Sequence, residues 1–243
     1  MPATLGILML DNAFDRFPGD LGNTASFDFP VLYEKTAGAT TEAMTTISDD
    51  AFLDPFTAAA ERLIARGADG IVTSCGFLAI YQRELARRLS APVATSALLQ
   101  VAWVERLLPA GKRVGVLTFN GQSLGQPHFD GVGASLDTPV VGLPEHGRFR
   151  SALLGDASVD SFEAREADAL SATQKLMRDH PNTGAIVLEC TNLVPHAVAI
   201  HAAAGIPVYD VMTLVRWFHA GLQPQRFSRT PVTTAAMQRA GSV

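Results

Sequence analysis

The chain has 243 residues, 47% of them hydrophobic and 18% charged, with a formal net charge of −5 and a pI near 5.6. That is enough apolar material for a full core, in one large domain or in two of roughly 110 to 120 residues. The acidic balance and the scatter of the basic residues argue against nucleic acid, which requires a clustered basic face, and no apolar run approaches the ~20 residues of a membrane span.

Thr4 to Leu10 is a continuous apolar run closed by Asp11-Asn12, the pattern of a central parallel strand covered on both faces. The stretch from Phe14 to Phe29 is rich in turn residues and long for a compact domain, which fits a lid or binding loop or, equally, an ordinary surface excursion. Val31 to Thr36 alternates as a strand, and Gly38 to Thr41 is a polar break. Leu53 to Arg66 carries apolar residues at helical spacing, with Asp54-Pro55 as its opening and Gly67 as its stop. Ile71 to Thr73 is the next strand and runs into Ser74-Cys75-Gly76. A helix to Arg88, a short strand at Val93-Ala94 and a helix from Ser96 to Leu108 follow.

Arg113 to Phe119 opens a second round of the same scheme, and Gly121 to Phe129 reads as a turn leading into a helix. Val140 to Leu143 is a strand, Ser161 to Arg178 an amphipathic helix, and Ile186 to Leu188 a strand that runs into Cys190. Asn192 to Ala204 is helical, Val208-Tyr209 is the last strand, and Val211 to Ala220 the last helix. Gln223 to Val243 has no period and is expected to be a packed extension or a frayed tail. Alternating strands and helices call for parallel sheets with right-handed crossovers, and ligands in such sheets sit beyond the carboxyl ends of the strands.

The second round is a copy of the first. Asp69 to Leu78 matches Gly184 to Leu193, and Cys75 to Cys190 and Pro92 to Pro207 are both separated by 115 positions. The strand that ends at Asp11-Asn12 matches the one that ends at Asn120, Leu5 to Asp11 lying 109 positions before Val114 to Asn120, so the second half holds six extra residues. The two cysteines are the only ones in the chain, and they fall at equivalent places. The expected architecture is α/β, two pseudo-symmetric lobes, each a parallel sheet flanked by helices. Residues 1–100 with 210–243 form the first lobe and residues 101–209 the second, and the active site lies in the cleft between them.

Cysteines at equivalent strand ends of such lobes would face each other across the cleft. Inverting a carbon centre without a cofactor needs an acid on one face and a base on the other, of similar proton affinity. A thiol near pKa ~8.5, lowered by the helix that Gly76 or Thr191 opens, suits both roles. The same helix amides can hold a carboxylate or an enolate-like charge. Free thiols are expected rather than a disulfide. Glu189 beside Cys190 would raise that thiol, and is read as a surface or inter-lobe charge.

Leu188-Glu189-Cys190-Thr191-Asn192-Leu193, Thr73-Ser74-Cys75-Gly76, the Gly6-Ile7-Leu8 strand ending at Asp11-Asn12, and Ile206-Pro207-Val208-Tyr209-Asp210 together resemble the aspartate/glutamate/hydantoin racemase superfamily, which includes maleate isomerase and arylmalonate decarboxylase. The likeness spans about Leu5 to Ala220. It implies Cys75 and Cys190 as opposed acid and base, with Asp11, Asn12, Ser74, Gly76, Thr191 and Asn192 around the substrate and Thr118 and Asn120 completing the second lobe's share. It also implies a homodimer or larger assembly. Gly76-Phe77 stands where aspartate and glutamate racemases have Asn-Thr, and Asn192 stands where glutamate racemases have histidine. Both point away from those substrates, and Cys75 points away from decarboxylation.

The resulting expectation is a cofactor-independent racemase or epimerase of a small carboxylate, amino acid or cyclic amide. The alternatives are a maleate-type cis-trans isomerase or arylmalonate-type decarboxylase, and a non-catalytic carboxylate-binding module. Gly121-Gln122-Ser123-Leu124-Gly125 also matches a serine nucleophile elbow after a strand, with Asp156, Asp160, His196 and His201 as candidate partners. No glycine-rich oxyanion segment accompanies it. His196 and His201 are five apart and do not share a helix face, so no metal is expected. Asp11 as a turn cap, and Ser74 and Asn192 as helix caps, remain open readings. Met1-Pro2-Ala3-Thr4 lacks the features of a secretory signal, and a cytoplasmic protein is expected.

Overall fold

A computed structural model describes residues 2–47, 50–156, 158 and 160–227. The tail from 228 onward, for which an extension was expected, lies outside the described residues. In the first half the elements are β1 (Leu5–Leu10), β2 (Val31–Thr36), α1 (Thr41–Thr45), α2 (Leu53–Ala65), β3 (Gly70–Thr73), α3 (Gln82–Arg88), β4 (Val93–Ala94) and α4 (Val101–Leu107). The second half continues with β5 (Arg113–Thr118), α5 (Gln126–Val132), β6 (Val140–Gly142), α6 (Arg148–Leu153), α7 (Phe162–Asp179), β7 (Thr183–Leu188), α8 (Ala197–Ala204), β8 (Val208–Tyr209) and α9 (Val211–Leu222). They build two four-stranded parallel sheets, ordered β2-β1-β3-β4 and β6-β5-β7-β8, flanked by helices. This is the expected α/β architecture.

The duplication is visible in the register. Leu8 lies beside Thr73 in the first sheet, and their counterparts Leu117 and Leu188 lie side by side in the second. The central strands β1, β3, β5 and β7 are buried on both faces, which is why they read as unbroken apolar runs. α2 turns Leu53, Phe56, Ala59, Ala60 and Leu63 inward and stops at Gly67, whose φ of 96° a side chain would strain. Gly70 has no room for a Cβ because Leu222 and Phe218 of α9 lie against it, so the last helix packs on the first sheet. Asp210 and Thr213 close that helix's first turn with a reciprocal cap.

Two local expectations change. The segment after each cysteine opens as a 3-10 turn, Gly76–Tyr81 and Thr191–His196, before α3 and α8 begin. In the second copy Pro195 has no N–H to return to the Thr191 carbonyl, so an α-turn cannot close there. The short helices α1 and α6 were not expected. Among the described residues no helix is long and apolar enough to cross a membrane.

Candidate active site between the lobes

β3 and β7 end side by side across the lobe boundary, and two residues later each strand delivers its cysteine. The ends are locked together. Thr191 donates from its hydroxyl to the Ser74 carbonyl at 2.7 Å, and Gly76 lies so close to Glu189 that a Cβ there would meet its backbone oxygen at 2.3 Å. Cys75 and Cys190 are both free and buried, and both line one cavity of about 410 Å³ including its mouth. Leu10, Phe14, Met44, Phe77, Phe119 and Leu153 make its apolar walls.

The loop after β1 closes this cavity and reaches into the second lobe. Asp20, 2% exposed, accepts from the Asn192 side-chain amide and pairs with Arg16 at 2.9 Å. Asn192 in turn accepts from the Cys190 thiol at 3.8 Å. Arg165 of α7, also 2% exposed, holds Asp160 with two hydrogen bonds, donates to the Asp15 carbonyl at 3.2 Å and lies over the Phe14 and Phe17 rings. The loop is therefore fixed to the second lobe by a buried cation and a buried carboxylate.

The thiols are not acidified as expected. Burial pushes Cys75 up to about 12, the Glu189 charge adds to this, and the backbone amides of Phe77 and Leu78 only partly oppose it. Burial also pushes Cys190 well above the ordinary thiol value; Glu189, Cys75 and Asp20 add to this, and only the Asn192 amide opposes it. The two thiols thus differ in surroundings. Cys75 meets two amide donors, whereas Cys190 offers its proton to a side-chain oxygen.

Of the other expected residues, Asn12, Ser74, Gly76, Thr191 and Asn192 line the cavity. Asn12 also exchanges two hydrogen bonds with Thr41, and the Ser74 hydroxyl accepts from the Leu10 amide at 3.2 Å. Asp11, Thr118 and Asn120 do not line it. Asp11 is exposed, pairs with Lys35 and accepts from the Gly38 amide, so the turn-capping reading holds for it. Thr118 points instead at Glu189, and Asn120 donates to Ser123 at 2.8 Å. That contact places Ser123 in a local turn. Its candidate histidines are elsewhere, His196 among Phe149, Phe162 and Glu166, and His201 against the Ile206 carbonyl.

Of the two expected places for Glu189, surface or inter-lobe, the structure gives the second, against Gly76 of the first lobe. Glu189 is fully buried, lines the cavity, and burial raises its carboxyl to about 7. Arg16, Asp20 and Arg165 were also missed. Arg165 alone had a readable signal, since it shares helical spacing with the buried Ala169, Ala172 and Leu176.

No family model matches the chain. Dimethylsulfoniopropionate lyase 7 of Emiliania huxleyi is 31% identical over 237 residues, which cover 90% of this chain and 67% of that protein. The chain belongs to the dimethylsulfoniopropionate lyase family. A dimethylsulfoniopropionate lyase of Durusdinium is 29% identical, over 90% of the chain and 75% of the relative. Dimethylsulfoniopropionate lyase 5 of Emiliania huxleyi is 33% identical, over 89% of the chain but only 45% of the relative. The chain therefore spans between about half and three quarters of the length of these family members. Among solved structures, a mutant of arylmalonate decarboxylase aligns with a TM-score of 0.64 at 18% identity, covering 93% of this chain and 97% of its own. A glutamate racemase from Bacillus anthracis aligns with a TM-score of 0.58 at 15% identity, covering 91% and 83%. The lyase-family chain thus has the fold of the aspartate/glutamate racemase superfamily.

Proposed function

We propose that the protein is a cofactor-independent lyase that acts on dimethylsulfoniopropionate by β-elimination. The observation that carries this reading is the single small cavity shared by both thiols, in a chain whose relatives bear that name. One cysteine sulfur, acting from the small thiolate fraction that burial leaves near neutral pH, removes a proton from the carbon next to the carboxylate. The C–H electron pair becomes the Cα=Cβ bond, the Cβ–S bond breaks with its pair going to sulfur, and dimethyl sulfide and acrylate leave. The superfamily's racemase chemistry begins with the same proton removal; a leaving group on the next carbon diverts it.

Three features support elimination over the racemisation expected from sequence alone. Racemisation uses each thiol in turn as base, and the Cys190 thiol is engaged with the Asn192 side-chain oxygen. Elimination needs one base, and Cys75, which faces two amides, is the better site for a thiolate. Cys190 keeps its proton against Asn192 and serves as a hydrogen-bond donor to the charge that develops on the substrate, since dimethyl sulfide leaves neutral and takes no proton. The apolar walls suit the methyl groups on a sulfonium. Arg16 is the only cationic side chain among the described lining residues and offers a partner for the carboxylate.

The test is product analysis of the purified protein with dimethylsulfoniopropionate in D2O. Dimethyl sulfide and acrylate in equal amounts are expected. Deuterium entering the substrate's α-carbon without release of sulfide would contradict elimination and restore the racemase reading.

A further inference from the structure

Glu189 is a buried group that neither the fold nor the two-thiol chemistry explains. Its side chain is fully inaccessible, yet it carries an ionisable carboxyl into the wall that holds both cysteines. Oε2 accepts from the Thr118 hydroxyl at 2.5 Å, while Oε1 has no hydrogen-bond partner among the described residues. A Cβ on Gly76 would lie 2.2 Å from Oε1, so the glycine directly after Cys75 leaves this oxygen its room. A structural role alone would have been met by a second partner for Oε1 or by an apolar residue, because an unpartnered buried oxygen costs about 1–3 kcal/mol.

We propose that Glu189 is held as the neutral acid and donates a hydrogen bond from Oε1 to a carboxylate oxygen of the substrate. Thr118 decides which oxygen carries the proton: its donated hydrogen bond occupies Oε2, which leaves the proton for Oε1. The donor then strengthens its hold as the α-proton leaves and negative charge moves onto the substrate carboxylate oxygens. A carboxylic acid kept neutral by an apolar site can serve in this way. It also removes the negative charge that would otherwise oppose a thiolate at Cys75 or Cys190, since Glu189 raises both. No covalent bond to Glu189 forms or breaks beyond its own protonation.

This inference rests on the proposed reading only in that a carboxylate occupies the cavity. The titratable groups around Glu189 are Cys75 and Cys190, with Asp20 acting on Cys190 and Arg16, paired to Asp20, lining the same cavity. Burial keeps both thiols neutral in the window around pH 7, where Glu189 itself titrates.

Propionate, a carboxylate with no leaving group, is the probe, and calorimetry from pH 6 to 8.5 in buffers of different ionisation enthalpy is the readout. The wild type should take up close to one proton per propionate bound at pH 8, and its Kd should weaken about tenfold per pH unit above 7. Glu189→Gln retains a neutral donor beside Thr118. It should bind propionate within about threefold of the wild type at pH 6, with no pH dependence and no proton uptake. Glu189→Leu should lose at least tenfold in affinity; if it does not fold, the wild type and Glu189→Gln decide the matter alone. An ionised Glu189 that faces a sulfonium would give the opposite result, with no proton uptake by the wild type. That result, absent propionate binding, or a Glu189→Gln affinity as poor as that of Glu189→Leu would overturn the proposal. Proton-linked propionate binding by a wild type that releases no dimethyl sulfide would leave this inference standing and remove the lyase reading.

Discussion

The loop after β1 and its counterpart after β5 begin from equivalent strands and end in different places. The first runs through Phe14 and Asp20, crosses to the second lobe and joins the cysteine there through Asn192. The second places Phe119 in the cavity wall and then turns back, with Asn120 bonded to Ser123 and not lining the cavity. Duplication therefore fixes where the two sulfurs stand, through strands whose register is copied from lobe to lobe. The loops decide what each sulfur meets. A symmetric scaffold with one crossing loop supplies two thiols that need not do the same work.

The strongest way to break that asymmetry is to release the crossing loop. Arg165→Met leaves the Asp160 carboxylate without its partner and frees the Asp15 carbonyl; removing one half of a buried ion pair costs about 3–5 kcal/mol. Urea unfolding should show a loss of that size, and a loss under about 1 kcal/mol would mean the loop is held by other contacts.

Glu189 belongs to neither loop, and its effect on stability depends on pH. Its carboxyl rises from an ordinary value of 4.5 to about 7 in the folded protein, so the native state holds this proton more tightly than the unfolded chain. That contribution is complete below about pH 4.5 and is lost as pH rises through about 7. Between pH 5 and 8 the wild type should lose up to about 3 kcal/mol relative to Glu189→Gln. Parallel stability curves for the two proteins would contradict a neutral Glu189.

The lobe contact itself is a smaller matter. Thr191→Val removes the hydrogen bond to the Ser74 carbonyl and should cost about 1–2 kcal/mol in the same unfolding measurement. Smallest of all is Asp11→Asn. This residue ends a β1 that mirrors β5 but faces solvent and Lys35, so turnover and melting temperature should stay at wild-type values. A large loss of turnover would put Asp11 back at the site.

What could be read from the sequence follows the same division. Buried parallel strands write continuous apolar runs, so β1, β3, β5 and β7, their duplication and the placing of Cys75 and Cys190 were all legible. The cavity's polar members were only half legible. Asp20 and Arg16 sit in a stretch that reads as ordinary turn sequence, and their partners are distant, Asn192 being 172 positions from Asp20. Glu189 read as a surface or inter-lobe charge, and nothing local announces that the contact with the other lobe seals it from solvent. The thiols were expected to be acidified by helix starts, but the turns after them are 3-10 and burial outweighs their few amides.

The central claim is that both sulfurs act on one substrate molecule in the cleft. It is tested most directly by the rate of dimethyl sulfide release from dimethylsulfoniopropionate by Cys75→Ala and Cys190→Ala, each checked for an unchanged melting transition. Each variant should lose at least about 10²-fold in kcat/KM, the usual scale for removing a positioned proton-transfer group, with Cys75→Ala the more severe. Wild-type turnover by either variant would contradict it.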